Sequence, residues 1–280
     1  MKLLPKKIEL LLLEGTPHGL QYADLRNKTC RAFVAPRASF KDLLKREELD
    51  RSGVYFLVGK NDGLDLPLVY IGEADVLNQR LPLHNKKDFW SEIIVFVSQD
   101  SSLDKAGVRY IESILVQRAT QDKQSELQNG NSPAIKNLSE ANISVMDEFI
   151  EDIVFLLSVL GYKIIRSKYQ TEVETSSLLY IKGVGVEAKG RETDEGFVIY
   201  QGSEARIDET STCGKSEKKA RRKLIELGVL KKAENKYLFT QDYVFSSPSL
   251  AAGVVLGRNS NGRIEWKDKK GKTLRKIQEA

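Results

Sequence analysis

Two short apolar runs with a turn signal between them constrain the fold more than any other feature of this sequence. Residues 53–59 read GVYFLVG and residues 67–72 read PLVYIG, both rich in Val, Ile, Tyr and Phe. The connection between them contains Asn61-Asp62-Gly63, a strong hairpin turn signal. The stretch predicts a β-hairpin whose strands each carry a tyrosine close to a glycine.

Hydrophobic periodicity predicts the elements around this hairpin. Further strands are expected at 6–13, 31–35 and 93–98, with a turn-rich connection between the first two. Helices are expected where apolar residues recur at helical spacing, in SFKDLLKREEL, ADVLNQRLPLH, KAGVRYIESILVQRATQ and SEANISVMDEFIEDIVFLLSVLG. This mixture of strands and helices predicts an α+β fold.

Length and composition limit the class of protein. The chain has 280 residues, 41% of them hydrophobic and 30% charged, which is typical of a soluble protein with room for two domains. No apolar run approaches the roughly 18 residues of a membrane span. The apolar run after Lys7 contains Glu9, so we interpret it as a first strand; the alternative is a secretory signal. Cys30 and Cys213 lie far apart, which favours neither a disulfide framework nor a zinc site, and predicts a cytoplasmic protein.

The charge is distributed unevenly. The whole chain has 44 Lys+Arg and 39 Asp+Glu, net +5, whereas residues 163–280 hold 24 and 16, net +8, so residues 1–162 are net −3. The polar segment 167–177 is the expected boundary. We therefore expect an N-terminal strand and helix extension (1–50) packing on a central domain (51–166), followed by a basic α+β domain (178–280). The basic part is a candidate polyanion-binding surface; a merely soluble surface is the alternative.

The residues after the hairpin have the chemistry needed to cleave a phosphodiester. Arg80 and His84 are four residues apart on a predicted helix and therefore share a face. Glu112 lies on the next long predicted helix and supplies an oxygen ligand for a divalent cation. Arg80 would neutralise charge on the phosphate, and Tyr55, Tyr70 or His84 would position or deprotonate the attacking water.

This set of residues resembles the GIY-YIG nuclease family over roughly residues 50–140. The resemblance rests on GVY at 53–55, YIG at 70–72, Arg80 ten residues after Tyr70, and Glu112. It implies a small three-stranded antiparallel sheet flanked by helices, and a DNA endonuclease that uses a single Mg²⁺ or Mn²⁺. It also implies the residue roles, which are catalytic for Tyr55, Tyr70, Arg80 and His84, metal-binding for Glu112, and supporting for Gly53, Gly72 and either Asn129 or Asn131.

One departure from the family and one feature of the glycines add expectations. Some family members carry a lysine after YIG, whereas Glu73 follows here, and we expect its carboxylate to point outward. Gly53 and Gly72 leave room beside the tyrosines for a phosphate backbone or for the neighbouring helix. Strand-end turns are the alternative explanation for both glycines.

Other interpretations of the N-terminal part remain open. Tyr55 and Tyr70 could equally be ordinary half-buried aromatic residues of strands. Arg80 and Glu112 could be ordinary solvated residues of helices. The main alternative function is a catalytically inactive, nucleic-acid-binding regulator, and a third is a protein-interaction scaffold. The sequence leaves the oligomeric state undetermined.

The C-terminal part resembles a domain of unknown function of the DUF4357 type, which is often fused to GIY-YIG nucleases. The pattern SPSLAA, NG and EWK within residues 246–267 carries this resemblance, which implies association with DNA. A basic helix is predicted in CGKSEKKARRKLIELGVL, and a closing hairpin in NGRIEWKDKKGKTL, with turn signals at Asn261-Gly262 and Lys270-Gly271. Trp266 is expected in the core, with base stacking as the alternative. The candidate DNA-binding residues are Lys215, Lys219, Arg222, Arg258 and Arg263.

Overall fold

The computed structural model describes residues 5–60, 66–100, 102–130, 138–166, 178–183, 185–193 and 196–279. The chain divides into two compact units, residues 1–168 and 169–280. The predicted boundary segment 167–177, the hairpin turn 61–63 and Asn131 lie outside the described residues. Among the described helices, none combines the length and the apolar character that crossing a bilayer requires.

The N-terminal unit contains a sheet with helices on its faces. Its strands are β1 (Ile8–Leu12), β2 (Gln21–Leu25), β3 (Cys30–Pro36), β4 (Gly53–Gly59), β5 (Leu68–Ala74), β6 (Glu92–Ser98) and β7 (Glu126–Leu127). Its helices are α1 (Phe40–Leu43), α2 (Leu77–Arg80), α3 (Lys105–Asp122) and α4 (Glu140–Val159). Three 3₁₀ turns cover Arg37–Ser39, Glu47–Leu49 and Leu81–Lys86.

The sheet has seven strands in the order β1-β2-β3-β6-β4-β5-β7. The expected antiparallel group β6-β4-β5 is present at its centre, but the sheet is larger than the three strands that the resemblance implies. Strands β1 to β3 join this sheet through β6, so residues 1–50 supply strands to it as well as packing against it. Only the β5–β7 pair is parallel among these strands.

Alternation along β4 explains why both faces of the sheet are covered. Val54 and Phe56 face the core formed with α3 and α4, whereas Tyr55 and Leu57 face a second core on the opposite side. Every residue of β4 is buried. A central strand buried on both faces gives a continuous apolar run, which is why its pattern was readable from sequence.

Two local predictions for this unit were incomplete. Strand β2 was not predicted, and it pairs with both β1 and β3. Its polar Asp24 is satisfied by Arg31 of β3, with Nη2 2.6 Å from Oδ2, a contact between strands that the pattern of β2 alone does not reveal. The helix predicted from Ser39 is short, since α1 ends at Leu43 and the Ser39 side chain makes no capping hydrogen bond.

The C-terminal unit has two antiparallel sheets and four described helices. The strands are β8 (Leu179–Gly183), β9 (Val186–Thr193), β10 (Gly196–Ile199), β11 (Glu204–Arg206), β12 (Leu230–Ala233), β13 (Lys236–Phe239) and β14 (Tyr243–Phe245). The helices are α5 (Lys215–Glu226), α6 (Pro248–Leu256), α7 (Gly262–Glu265) and α8 (Leu274–Gln278). The sheet orders are β14-β10-β9-β8 and β11-β13-β12.

The predicted closing hairpin is present only at its second turn signal. Lys267 and Thr273 form an antiparallel bridge around Lys270-Gly271, whereas α7 begins at Gly262. The Asn261 side chain accepts a hydrogen bond from the Arg263 amide at 3.1 Å, so the residue caps a helix rather than turning a hairpin. Trp266 follows α7 and is fully buried, with its ring centroid 4.5 Å from that of Phe197. Trp266 is a core residue and is closed to base stacking.

Candidate active site

The register of β4 and β5 brings the two motif tyrosines together. Tyr55 lies opposite Gly72, and the ring centroids of Tyr55 and Tyr70 are 6.2 Å apart. A Cβ atom at Gly72 would lie 2.5 Å from both Cζ and Oη of Tyr55. Gly72 is therefore required because the Tyr55 phenol lies directly across it. The space expected there for a phosphate is filled by Tyr55.

Gly53 permits a different close approach. A Cβ atom at this position would lie 2.5 Å from the carbonyl oxygen of Phe96 and 2.7 Å from Cδ1 of Leu77. Leu77 is the first residue of α2, so the neighbouring helix, rather than a phosphate, occupies the space beside Gly53. This close packing positions the segment that carries Arg80 and His84.

His84 joins the tyrosines from a 3₁₀ turn. The single predicted helix is in fact two elements, since α2 ends at Arg80 and the turn Leu81–Lys86 follows. His84 Nε2 and the Tyr55 hydroxyl share a hydrogen bond of 2.7 Å, and the His84 and Tyr70 ring centroids are 5.2 Å apart. The indole of Trp90 donates to the His84 carbonyl at 3.1 Å, which holds the turn in place.

Burial makes His84 a neutral side chain at pH 7. The residue is 4% exposed, and burial, followed by the charges of Lys87 and Arg80, lowers its pKa to about 4. Its Nδ1 has no hydrogen-bond partner among the described residues. His84 therefore adds no charge beside Arg80 at neutral pH.

Tyr55 and Tyr70 have different environments. Tyr55 is fully buried, and burial followed by the neighbouring Tyr70 raises the pKa of its phenol. Tyr70 is only half-buried. The two tyrosines therefore do not have equivalent roles, since Tyr70 is open to a ligand and Tyr55 is an interior group.

The Arg80 guanidinium is associated with both phenols. Hydrogen bonding to Tyr55, and the charge interaction with it, raise the pKa of Arg80, and Tyr70 contributes in the same direction. The residue as a whole is exposed. A permanent cation that is hydrogen-bonded to phenols and is open to solvent is suited to bind an anionic oxygen.

Glu112 lies on α3 and is close to the exposed edge of β5. Burial, followed by the charge of Glu73, raises the pKa of Glu112 to about 7, while Arg80 and Arg109 oppose the shift. A hydrogen bond from the Glu73 backbone also acts to lower this pKa. The charges of Glu112 and Arg80 therefore interact.

The expectation that Glu73 points outward is wrong. Its side chain is 20% exposed, and its Oε1 lies 3.4 Å from Nε of Arg109. Because Glu73 raises the pKa of Glu112, the two carboxylates share one electrostatic environment. Arg109 of α3 draws Glu73 inward, a pairing that the residue's position after YIG did not indicate.

Asn129 completes the same edge of β5. Strand β7 pairs with β5 only at Leu68 and Val69. Beyond that point, the Asn129 amide accepts from the Ile71 amide at 3.0 Å and donates to the Ile71 carbonyl at 2.7 Å. Asn129 therefore replaces the missing strand partner next to Gly72.

Lys87 is a site residue that the sequence did not identify. Its Nζ lies 3.8 Å from the Tyr70 ring centroid, and burial, followed by the charge of Arg80, lowers its pKa. The neighbouring Lys86 is exposed. The sequence HNKK does not distinguish the two lysines. The 3₁₀ turn ends between them, and this places the Lys87 side chain, but not that of Lys86, against Tyr70.

The carboxylate oxygens near β5 come from Glu112 and Glu73. No cluster of three or more His, Cys, Asp or Glu suited to a metal occurs among the described residues. Glu112 and Glu73 nevertheless offer two adjacent carboxylates whose repulsion a cation would relieve. Mg²⁺ is often bound by one or two carboxylates together with water and substrate phosphates, so a sparse donor set of this kind is sufficient.

The candidate DNA-binding residues of the C-terminal unit fall into two groups. Lys215, Lys219 and Arg222 are exposed on α5. Arg258 instead pairs with Glu265 at 2.7 Å, and Arg263 donates to Gln278 at 2.8 Å and lies 3.3 Å from Glu279. The last two arginines are engaged within the unit, so among the five candidates only the three residues on α5 remain available.

Arg221, also on α5, is a structural residue. It is 1% exposed, and its guanidinium donates to Glu209 at 3.2 Å and to the carbonyl groups of Val254, Arg206 and Ile207. Helical position alone did not separate it from its exposed neighbour Arg222.

Residues 179–278 match a family model described as a domain of unknown function (DUF4357). The predicted resemblance of the C-terminal part is confirmed. The description assigns no chemistry to this domain. No curated protein matches the chain, and no solved structure matches it.

Proposed function

We propose that the N-terminal unit is a divalent-cation-dependent DNA endonuclease that hydrolyses phosphodiester bonds. The observation that carries this proposal is the convergence of Tyr55, Tyr70, Arg80, His84 and Glu112 around the edge of β5. These residues come from two strands, a helix end, a 3₁₀ turn and a second helix. The pKa values of Tyr55, Arg80, His84 and Glu112 are shifted by burial or by neighbouring charges, a concentration that is typical of functional sites.

The exposed members of the group have the roles that touch the substrate. Arg80 binds a non-bridging oxygen of the scissile phosphate and stabilises the charge that develops there. Tyr70, which is half-buried and beside Lys87, hydrogen-bonds the attacking water. Tyr55 and His84 are interior and share a hydrogen bond of 2.7 Å. Tyr55 positions Arg80 by a hydrogen bond, and both rings position Tyr70 by contact.

The cation would be held by Glu112, with Glu73 beside it. When bound, a divalent cation polarises the phosphate and stabilises the leaving oxygen. Glu112 must be ionised to serve as a ligand, and its pKa of about 7 leaves it only partly ionised at neutral pH. Proton release from Glu112 is therefore expected to accompany cation binding.

The C-terminal unit is proposed to dock DNA through the exposed face of α5. Lys215, Lys219 and Arg222 recur three or four residues apart, so they project from one side of the helix. Contacts from such residues reach phosphates and carry no sequence information.

Plasmid nicking in the presence of Mg²⁺ tests the cleavage proposal. We expect the wild type to nick supercoiled DNA, and Glu112→Ala to lose this activity while it retains DNA binding. The matched control is Gln117→Ala, an exposed residue on the same helix. Wild-type protein that leaves DNA intact in both Mg²⁺ and Mn²⁺, or Glu112→Ala that cuts as fast as wild type, would refute the proposal.

A second candidate function is a DNA-binding regulator without cleavage activity. Glu73 favours it, because a second carboxylate beside Glu112 repels a phosphate when no cation is bound. The observation that distinguishes this function is gel retardation of DNA with no nicking at any Mg²⁺ or Mn²⁺ concentration.

A further inference from the structure

The C-terminal unit contains an open cavity of about 620 Å³ that the proposed functions do not use. All of its lining residues lie within the DUF4357 match. Its volume is within the range of small-molecule binding sites. We call it the basic cavity; it is lined by Tyr180, Ile181, Lys182, Gly183, Glu187, Lys189, Leu256, Arg258, Glu265, Lys267, Asp268, Lys269 and Gly271.

The acidic side chains of the basic cavity are already engaged. Glu187 pairs with Lys182 at 3.2 Å, and Glu265 pairs with Arg258 at 2.7 Å. Asp268 accepts from the backbone amides of residues 270 and 272 at 2.9 and 2.8 Å. Two of these carboxylates therefore neutralise Lys182 and Arg258, and the third stabilises a turn.

Three exposed lysines of the cavity remain available. Within the described part of the chain, Lys189, Lys267 and Lys269 form no ion pair, and they enter the cavity from β9 and from the segment after α7. Lys267 is fixed by two backbone hydrogen bonds to Tyr180, of 2.7 and 3.0 Å. Lys189 lies opposite Tyr180 in the β8–β9 pair, so these two lysines are anchored beside the strand that supplies the aromatic lining.

Tyr180 gives the cavity a second recognition feature. Tyr180 is half-buried, while Ile181 and Leu256 are 3% and 2% exposed. Lys182 Nζ lies 5.7 Å from the Tyr180 ring centroid. An aromatic side chain among lysines is the combination that holds a base by stacking and its phosphate by charge.

We propose that the basic cavity binds a nucleotide, with its base against Tyr180 and its phosphate on Lys189, Lys267 and Lys269. The nucleotide is either a free mononucleotide or one unit of a single strand. The site is separate from α5 and does not depend on the cleavage proposed for the N-terminal unit.

The test is fluorescence anisotropy of the full chain with a short fluorescein-labelled oligothymidylate in EDTA, where cation-dependent cleavage cannot contribute. We expect Tyr180→Ala to weaken binding roughly tenfold, and Tyr180→Phe to restore most of it. The triple variant Lys189→Ala, Lys267→Ala, Lys269→Ala changes exposed side chains only, and should weaken binding at least as much.

The matched control removes three other exposed lysines of the same unit, by Lys231→Ala, Lys232→Ala and Lys276→Ala. It should bind more tightly than the cavity triple variant. Competition with dTMP and with inorganic phosphate distinguishes the ligands. Displacement by dTMP at concentrations similar to those of the unlabelled oligonucleotide indicates a mononucleotide site, and much weaker displacement by dTMP indicates a strand.

Three results would overturn the nucleotide proposal. The first is that the wild type does not bind the oligonucleotide, and the second is that both cavity variants bind it as tightly as the wild type. The third is that inorganic phosphate displaces it as effectively as dTMP does. The last result would reduce the cavity to a simple anion site. None of these results bears on plasmid nicking, so the two proposals fail independently.

Discussion

The candidate active site and the basic cavity hold their charged groups in opposite ways. In the active site, Arg80 is associated with two phenols, and Glu112 is beside a second carboxylate. In the cavity, the acidic groups are paired and three lysines extend into solvent. Interlocked, partly buried groups suit a reaction that needs fixed geometry, whereas unpaired exposed cations suit binding.

The comparison predicts that a single substitution in the candidate active site has a large effect on activity. Arg80→Ala should lower the cleavage rate by roughly a hundredfold to a thousandfold, because one fixed cation at the developing charge is lost. Plasmid nicking under single-turnover conditions measures the effect. Gln79→Ala, at the adjacent exposed position, is the control and should cut at the wild-type rate. Equal rates for Arg80→Ala and wild type would remove the arginine from the mechanism.

Arg221 and Arg222 are adjacent on α5, and they test whether the buried arginine stabilises the fold while the exposed one does not. Arg221→Ala should lower the free energy of unfolding of the C-terminal unit by about 2–4 kcal/mol, because three carbonyls and Glu209 lose their partner. Arg222→Ala should change it by less than about 0.5 kcal/mol, since the residue is exposed. Hydrogen exchange of α6 and β11 gives both values. Similar losses for the two variants would contradict the assignment.

This pair also shows where sequence reasoning ended. Strands β4, β5 and β6 could be located from pattern, because a short apolar run is a local signal, and motif spacing selected Tyr55, Tyr70, Arg80 and Glu112 as candidates. The burial of Arg221 depends on the carbonyl group of Val254, which is 33 residues away. Likewise, Lys87 and Glu73 acquire their positions from a 3₁₀ turn and from Arg109, contacts that no local pattern specifies.

The pKa values of Glu112 and His84 predict opposing effects of pH on the N-terminal unit. The pKa of Glu112 rises from 4.5 to about 7 on folding, so the folded state holds the extra proton and stability falls as pH rises across that window. The pKa of His84 falls from 6.5 to about 4, so the unfolded state holds the extra proton and stability rises between pH 4 and 6.5. The two slopes partly cancel in the wild type.

Glu112→Gln should separate these slopes. Its unfolding free energy should be close to that of the wild type near pH 4.5 and exceed it by about 1–3 kcal/mol above pH 7, after discounting for partial exposure. Hydrogen exchange of β4 and β5 across this pH range measures the difference. Mg²⁺ should raise the stability of the wild type but not that of Glu112→Gln, if Glu112 binds the cation. A stability difference that does not vary with pH would show that Glu112 ionises normally.

The smallest effects are expected from exposed charges. Each of these residues contributes little to the DNA affinity, and their combined contribution is visible only in the salt dependence of binding. The triple variant Lys215→Gln, Lys219→Gln, Arg222→Gln should reduce the slope of log K against log salt for duplex DNA by about 2–3, because each lost phosphate contact accounts for about 0.9. The control Arg258→Gln, Arg263→Gln removes two cations that are held by Glu265, Gln278 and Glu279, and should change the slope by less than about 1. Binding isotherms at several salt concentrations decide between them. A larger change for the paired arginines would mean that DNA displaces their carboxylate partners, and that α5 is not the docking face.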